Sequence, residues 1–338
     1  MARASDKHHT AARRRVLRAG SLTLAALAAL SLARRSDAAH DGVLRILCSG
    51  PAGSIPDLVA RSVGEQLSVT HGQRVLIDNR PGAAGQLSIN ALKAAPADGA
   101  TLLLAQGAII TVYPYLYAKL AYDPALDLRP VSLASEMTLG LAVGPAVPEA
   151  VATLADFIAW LRSHPAAANL GSPGQGTLPH LLEAMLLRPA GVVWQHVAYS
   201  GGPPAVTDLL GGQIAALVLP EGLLRQHHAT RRIRVLATSG ATRSAYLPEV
   251  PTFVEQGHPH LVVKEWFAFF APGGTAKDTV ETLSAAVQEA IARPALSATF
   301  AKAGMTALAC SPASLSARIG VEQRYWKPVL LAHGIQAE

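Results

Sequence analysis

Arg45-Ile-Leu-Cys-Ser-Gly-Pro-Ala-Gly-Ser-Ile-Pro-Asp-Leu-Val-Ala-Arg61 is a short apolar strand that breaks into a Gly/Pro loop and opens directly onto a helix. Ser54 and Asp57 have the spacing of a capping box, and Pro56 falls in the first turn, where its missing N–H costs nothing. Leu58, Val59, Val63 and Leu67 then form one apolar face. Such a helix turns free backbone N–H groups and the positive end of its dipole toward the loop, which suits a carboxylate or phosphate. The same arrangement also occurs at strand-to-helix turns that bind nothing, so neighbouring loops have to decide.

Three loops repeat this chemistry: Asn79-Arg80-Pro81-Gly82-Ala83-Ala84-Gly85, Ala105-Gln106-Gly107-Ala108 and Gly171-Ser172-Pro173-Gly174-Gln175-Gly176-Thr177. Each follows a strand-like run and precedes a helical one. Strands are expected near Val43 to Leu47, Val75 to Asp78, Thr101 to Ala105, Leu139 to Val143, Asn169 to Gly171, Val192 to Val197, Ala215 to Leu219, Arg234 to Thr238 and Trp266 to Ala271. Their alternation with helices argues for parallel sheets with crossover helices, and loops of this kind gather at the carboxyl ends of such strands.

The N-terminus reads as an export signal. Arg13-Arg14-Arg15-Val16-Leu17-Arg18, an alanine- and leucine-rich run from Ala19 to Ala33, and Ser36-Asp37-Ala38 supply a basic region, an apolar region and small residues for cleavage after Ala38 or Ala39. The paired arginines resemble the twin-arginine type. An uncleaved anchor is the weaker alternative, because the run is short of the about 20 residues that a membrane span needs. The whole chain of 338 residues carries a net charge of +6, but eight of its 29 Lys/Arg and two of its 23 Asp/Glu lie in residues 1–38, leaving 21 of each. A neutral mature chain lacks the clustered basic face of a nucleic-acid reader. About 300 mature residues favour two domains. Cys48 and Cys310 lie far apart, so a disulfide is possible, but two buried thiols fit better because Cys48 falls inside a strand. Leu47 also makes Cys48 a poor lipoprotein cysteine.

Catalytic patterns are missing. The loop from Gly171 to Thr177 lacks the P-loop lysine, Gly50-Pro-Ala-Gly53 lacks dinucleotide spacing, and no G-x-S-x-G elbow occurs. Neither His227-His228 nor His258-Pro-His260 has a second cluster at zinc-like spacing, and both read as exposed loop histidines. His180, just after the loop from Gly171 to Thr177, could donate into a crevice, cap the loop or pack in the core.

The ordered segments resemble one family, the extracytoplasmic solute receptors of the tripartite tricarboxylate transporter system, also called Bug receptors. The likeness spans essentially the mature chain. It rests on Asp57-Leu-Val-Ala-Arg61, Asp78-Asn-Arg-Pro-Gly-Ala-Ala-Gly85, Asp98-Gly-Ala-Thr-Leu-Leu-Leu104, Leu116-Tyr-Ala-Lys-Leu-Ala-Tyr-Asp123, Gly171-Ser-Pro-Gly-Gln-Gly-Thr177 with His180, His196-Val-Ala-Tyr199 followed by Thr207-Asp-Leu-Leu-Gly-Gly-Gln213, Leu247-Pro-Glu-Val-Pro-Thr252, and Trp266-Phe-Ala-Phe-Phe-Ala-Pro-Gly-Gly-Thr275.

The resemblance implies an α/β, type II periplasmic-binding-protein fold: two α/β lobes with a ligand cleft between them. By analogy, residues 39–140 and 236–338 form one lobe and residues 141–235 the other, behind a signal over residues 1–38. It implies a monomeric periplasmic protein that closes on a small organic acid and hands it to membrane permease subunits, or alternatively signals to a membrane sensor. An exported hydrolase or isomerase is disfavoured, and no catalytic residue, cofactor, metal or nucleic acid is called for. Carried over position by position, Gly53, Ser54 and Asp57 form the first cradle, Ala84 and Gly85 the second, and Gln106 and Gly107 line the same lobe. Ser172, Thr177, His180 and Tyr199 face them. Two departures stand out. Ile55 and Pro56 replace small polar residues of the family's first loop, and Leu219 stands where many members have an aspartate, with Glu221 as the available substitute.

Overall fold

The computed structural model describes residues 42–332 and 335–336. The expected export segment and its cleavage site lie outside the described residues. Strand β1 (Val43–Cys48) leads into helix α1 (Ile55–His71), strand β2 (Arg74–Asn79), a 3-10 turn at Ala83–Gly85, helix α2 (Gln86–Lys93) and strand β3 (Thr101–Gln106). Short helical turns at Ala108–Thr111, Tyr113–Leu116 and Pro124–Asp127 precede the long strand β4 (Leu128–Val143). Then come α3 (Leu154–Ser163), β5 (Asn169–Ser172), α4 (Leu178–Leu187), β6 (Gln195–Ala198), α5 (Gly202–Leu210), β7 (Ala216–Pro220), α6 (Glu221–Ala229) and β8 (Arg234–Thr238). The chain ends with β9 (Lys264–Pro272), α7 (Lys277–Ile291), α8 (Pro294–Lys302), β10 (Thr306–Ala307) and α9 (Pro312–Ala332).

The sheet is mixed rather than parallel throughout. Strands run in the order β2-β1-β3-β9-β4-β7-β5-β6, with β8 and β10 also paired to β4. The sets β2-β1-β3 and β7-β5-β6 are parallel, whereas β9 and β4 are antiparallel to their neighbours. Strand β4 joins the two regions. Its first part, Leu128 to Thr138, pairs with β9, and its last part, Leu139 to Val143, pairs with β7 and β8. The sequence pattern showed only that last part. Arg129, Pro130, Ser132, Ser135 and Glu136 break the apolar run of the first part, although Ser132 and Ser135 are buried there.

Alternation along β1 sets the layers. Ile46 and Cys48 pack with Val59, Val63 and Leu67 of α1, while Leu47 packs with Ile89 and Leu92 of α2. Burying each such Leu, Ile or Val side chain contributes about 1.5–3 kcal/mol of transfer free energy. Gly72, at φ 62°, ends α1 in the left-handed conformation that glycine tolerates. Cys48 and Cys310 are free thiols; Cys48 is buried as expected, whereas Cys310 is only half-buried. Burial pushes the Cys48 thiol up to about 11, which leaves it unreactive at neutral pH.

Helix α9 fixes β9 from behind. The Trp266 indole Nε1 donates to both Glu322 carboxylate oxygens at 2.9 Å, and Arg318 lies 5.1 Å over the Trp266 ring while it pairs with Glu136 at 2.8 Å. Trp266 in turn leaves no room for a side chain at Gly107, where a Cβ would fall 2.1 Å from the indole. Helix α6 meets the turn after α8 equally closely, because a Cβ on Gly222 would fall 1.7 Å from the Ala303 carbonyl oxygen. Gly222→Ala is therefore expected to lose about 1–3 kcal/mol or more in urea unfolding, as overpacked sites do. Gly274→Ala, whose Cβ would find its nearest atom at 3.5 Å, is the matched control and should stay near wild type. Equal unfolding midpoints for the two variants would contradict this packing.

Candidate functional site

The loops after β1, β2, β5 and β6 and the ends of β3, β7 and β9 meet around one cavity of about 650 Å³. Of the site residues expected from sequence, Ser54, Ala84, Gly85, Gln106, Thr177 and Tyr199 line it. Gly53, Asp57, Gly107, Ser172, His180 and Glu221 do not, and each has another task.

Asp57 holds the first loop in shape. Its carboxylate accepts from the Gly53 N–H at 2.9 Å, from Arg61 Nε at 2.9 Å and from Asn79 Nδ2 at 2.9 Å. The capping box expected from the Ser54/Asp57 spacing is not formed. Ser54 is the N-cap residue, but its hydroxyl donates to the Pro51 carbonyl at 2.6 Å, and Asp57 reaches Gly53 instead of the N-cap. Burial disfavours the Asp57 charge, yet the Arg61, Gly53 and Asn79 hydrogen bonds outweigh it and hold the carboxyl below its ordinary range. Asn79 also donates to the Gly50 carbonyl at 2.9 Å, so one amide ties the first loop to the end of β2.

The second loop is conformationally strained. Ala83 and Ala84 have φ of 46° and 51°, flanked by Gly82 at 124° and Gly85 at 96°. An L-residue pays about 1–2 kcal/mol for the left-handed region, and such strain collects at ligand clamps. Here the Ala84 carbonyl accepts from Gln106 Nε2 at 2.7 Å and from the Tyr113 hydroxyl at 2.9 Å, while Ser49 donates to Gln106 Oε1 at 3.0 Å. Gln106 is thus committed to holding the loop as well as lining the cavity. The turn delivers Ala84 and Gly85 to the start of α2, but the Gly85 N–H donates to the Gly82 carbonyl at 2.9 Å and the Gln86 N–H to the Ala83 carbonyl, so of these three amides the Ala84 N–H is the one left to a ligand.

On the opposite wall, the Thr177 hydroxyl donates to the Gly174 carbonyl at 2.7 Å and the Tyr199 hydroxyl to Asp208 at 2.8 Å. His180 Nδ1 accepts from the Gly176 N–H at 3.1 Å, and its ring stacks on His196 at 4.0 Å between centroids. It therefore caps its loop, and burial with the neighbouring His196 and Arg188 charges pushes it down to about 3, so it is neutral. Ser172 Oγ lies 2.7 Å from His196 Nε2, but Ser172 is fully buried and bonded to Gly174 behind the loop. Gly107 is a packing residue against Trp266, as above. His227 and His228 lie in the last turn of α6 rather than in a loop, and His228 Nδ1 accepts from the Val235 N–H at 3.1 Å. Among the described residues, no group of three or more His, Cys, Asp or Glu is placed to hold a metal ion.

The expected substitution of Glu221 for an acid at Leu219 fails. Leu219 lines the cavity, but strand β7 ends at Pro220 and Glu221 starts α6, turned to accept from Ser244 at 2.7 Å. Sequence reasoning missed the acid that does line the cavity, Glu265 of β9, along with Phe267 two residues on and Lys119 and Tyr117 at the edge. The period-two alternation of Glu265 and Phe267 around buried Trp266 was a signal in the sequence, but only the pairing of β9 with β3 shows where that face points.

Asp57→Ala is expected to lose about 1.5–3 kcal/mol, the range for hydrogen bonds to a charged group. A carboxyl held below its ordinary value stabilises the fold fully above the unfolded value of 3.8, and that contribution disappears as pH falls through the lower folded value. Urea midpoints of wild type and variant should therefore converge below about pH 4. A gap independent of pH would contradict the role given to the charge.

Comparison with known proteins agrees with this geometry. The family model described as "Tripartite tricarboxylate transporter family receptor" matches residues 59–335. Protein BugT of Bordetella pertussis is 31% identical over 292 residues, covering 86% of this chain and 89% of that protein. MatC of Rhodopseudomonas palustris, solved with bound malate, superposes with a TM-score of 0.79 at 27% identity, covering 85% of this chain and 98% of that one. The R. palustris protein Rpa4515, solved with adipate, gives 0.81 at 27% identity, covering 87% and 97%. The fold is accordingly the α/β periplasmic-binding-protein fold, and the chain belongs to the tripartite tricarboxylate transporter receptor family.

Proposed function

We propose that this protein is a periplasmic receptor that captures a small organic carboxylate by lobe closure and delivers it to a tripartite tricarboxylate-type transporter, without chemical turnover. The observation that carries this reading is the convergence of several strand-to-helix loops on one cavity, where the Ala84 N–H and those of Ile55 and Asp57 at the start of α1, rather than clustered side-chain charges, are left to an anion. The malate and adipate bound by the two structural relatives support a carboxylate as the ligand class. Binding without turnover is supported by the hydroxyls of Ser49, Ser54 and Thr177, each of which donates to an amide or carbonyl oxygen. We place the lobe boundaries near residues 140 and 236, where β4 passes from β9 to β7 and where β8 leads back toward β9. The second loop already lies beside the loop from Gly171 to Thr177, where a Cβ on Gly174 would stand 3.6 Å from the Ala84 Cβ and the Tyr117 hydroxyl donates to the Gln175 carbonyl at 3.1 Å, so opening of the lobes would break these contacts.

Titration calorimetry with malate, adipate and a wider panel of organic acids should give saturable heat, and small-angle scattering should record a smaller radius of gyration with the ligand that binds. No heat and no thermal shift with any acid would overturn the reading. Gly85→Val should weaken binding at least tenfold, because φ of 96° excludes a β-branched residue and its Cβ would crowd Gln106 Nε2 at 3.1 Å. Wild-type affinity in that variant would remove the second loop from the grip.

A further inference from the structure

Glu265 is 5% exposed, lines the cavity, and has one carboxyl oxygen, Oε1, buried without a hydrogen-bond partner. A buried acid with one oxygen unsatisfied weakens a fold and disfavours its own charge, so its persistence at a cavity wall points to a role toward the ligand, taken by the second carboxyl oxygen because Oε1 is sealed from the cavity. We propose that Glu265 reads a second polar group of the ligand, acting as a neutral carboxylic acid that donates a hydrogen bond to an acceptor oxygen there, a second carboxylate included. This rests on the receptor reading above and adds the residue that selects the ligand's second polar group.

The surroundings decide between a neutral donor and an anion that would pair with an amino group. Phe267 and Leu219 contribute apolar side chains to the same cavity lining. From α9, the Glu322 carboxylate adds like charge, although it is itself engaged by Arg318 and the Trp266 indole. From β4, Glu136 is paired with Arg318 and Lys264, so neither base is free to neutralise Glu265. The segment after β3 contributes the phenol of Tyr113, which is bonded to the Ala84 carbonyl, and the rim residues Tyr117 and Lys119. The Trp266 main-chain N–H favours the charged form, but burial outweighs it and pushes the Glu265 carboxyl up to about 8. With that acid neutral, Lys119 is the charged side chain left in the lining, a balance that favours an anionic ligand over a zwitterion.

Length-matched probes separate the possibilities: adipate ends in a carboxylate, 6-aminohexanoate in an ammonium and hexanoate in a methyl group. Malate and aspartate form a shorter pair. Calorimetry at pH 6.5 should rank the dicarboxylate of whichever pair fits at least tenfold above its amino counterpart. Its affinity should fall about tenfold by pH 9 as the donor ionises. Glu265→Gln keeps a donor that cannot ionise and should flatten this pH profile. Glu265→Leu should lose at least tenfold for the dicarboxylate, gain for hexanoate, and raise the melting temperature of the ligand-free protein. Preference for the amino probe, with affinity rising with pH, would overturn the proposal. So would dicarboxylate binding whose strength and pH profile are the same in wild type and both variants, a result that leaves the receptor reading intact. Failure of every acid to bind wild type would instead remove the receptor reading and this inference with it.

Discussion

The arrangement of the cleft depends on a small buried polar network that fixes main chain rather than ligand. Asp57 gathers Gly53, Arg61 and Asn79, and Asn79 reaches back to Gly50. Gln106, with Ser49 and Tyr113, holds the carbonyl of Ala84. Together these contacts join the loops after β1 and β2 to the end of β3. The two neutral hydrogen bonds to the Ala84 carbonyl contribute about 0.5–1.5 kcal/mol each, together comparable to the about 1–2 kcal/mol per residue that the left-handed alanines cost. The network can therefore hold Ala83 and Ala84 in a conformation that neither would adopt alone.

This division of labour separates the residues that look functional from those that border the cavity. Asp57 and His180 sit beside the loops and are polar, yet the Asp57 oxygens are spent on Gly53, Arg61 and Asn79 and the His180 Nδ1 on Gly176. Glycines and alanines of the second loop carry little side-chain chemistry, and they form the wall. Preorganised amides in such a turn need no rearrangement to meet an anion, which spares the ordering free energy that a flexible lysine would lose.

Much of the fold was legible because local rules governed it. The breaks at Gly50 to Ser54 and at Pro81 to Gly85 announced strand-to-helix turns, and the apolar spacing of α1 matched the face that is buried. Long-range pairing was not legible. Ser132 and Ser135 hide the first part of β4, because a central strand can bury hydroxyls that a hydropathy pattern reads as exposed. Glu221 is near Leu219 in sequence but turns away because Pro220 ends β7 and a helix follows. Glu265 is 46 residues beyond Leu219 in numbering, yet both border the cavity, since β9 returns beside β3.

The central claim is that backbone amides of the first two loops grip the ligand's anionic end. Amide chemical shifts followed during titration with whichever organic acid binds test it most directly. The account predicts large downfield proton shifts, saturating with the calorimetric affinity, at Ala84 and at Ile55 and Asp57 at the start of α1. Shifts confined to the surroundings of Lys119, with the amides of both loops unmoved, would contradict it.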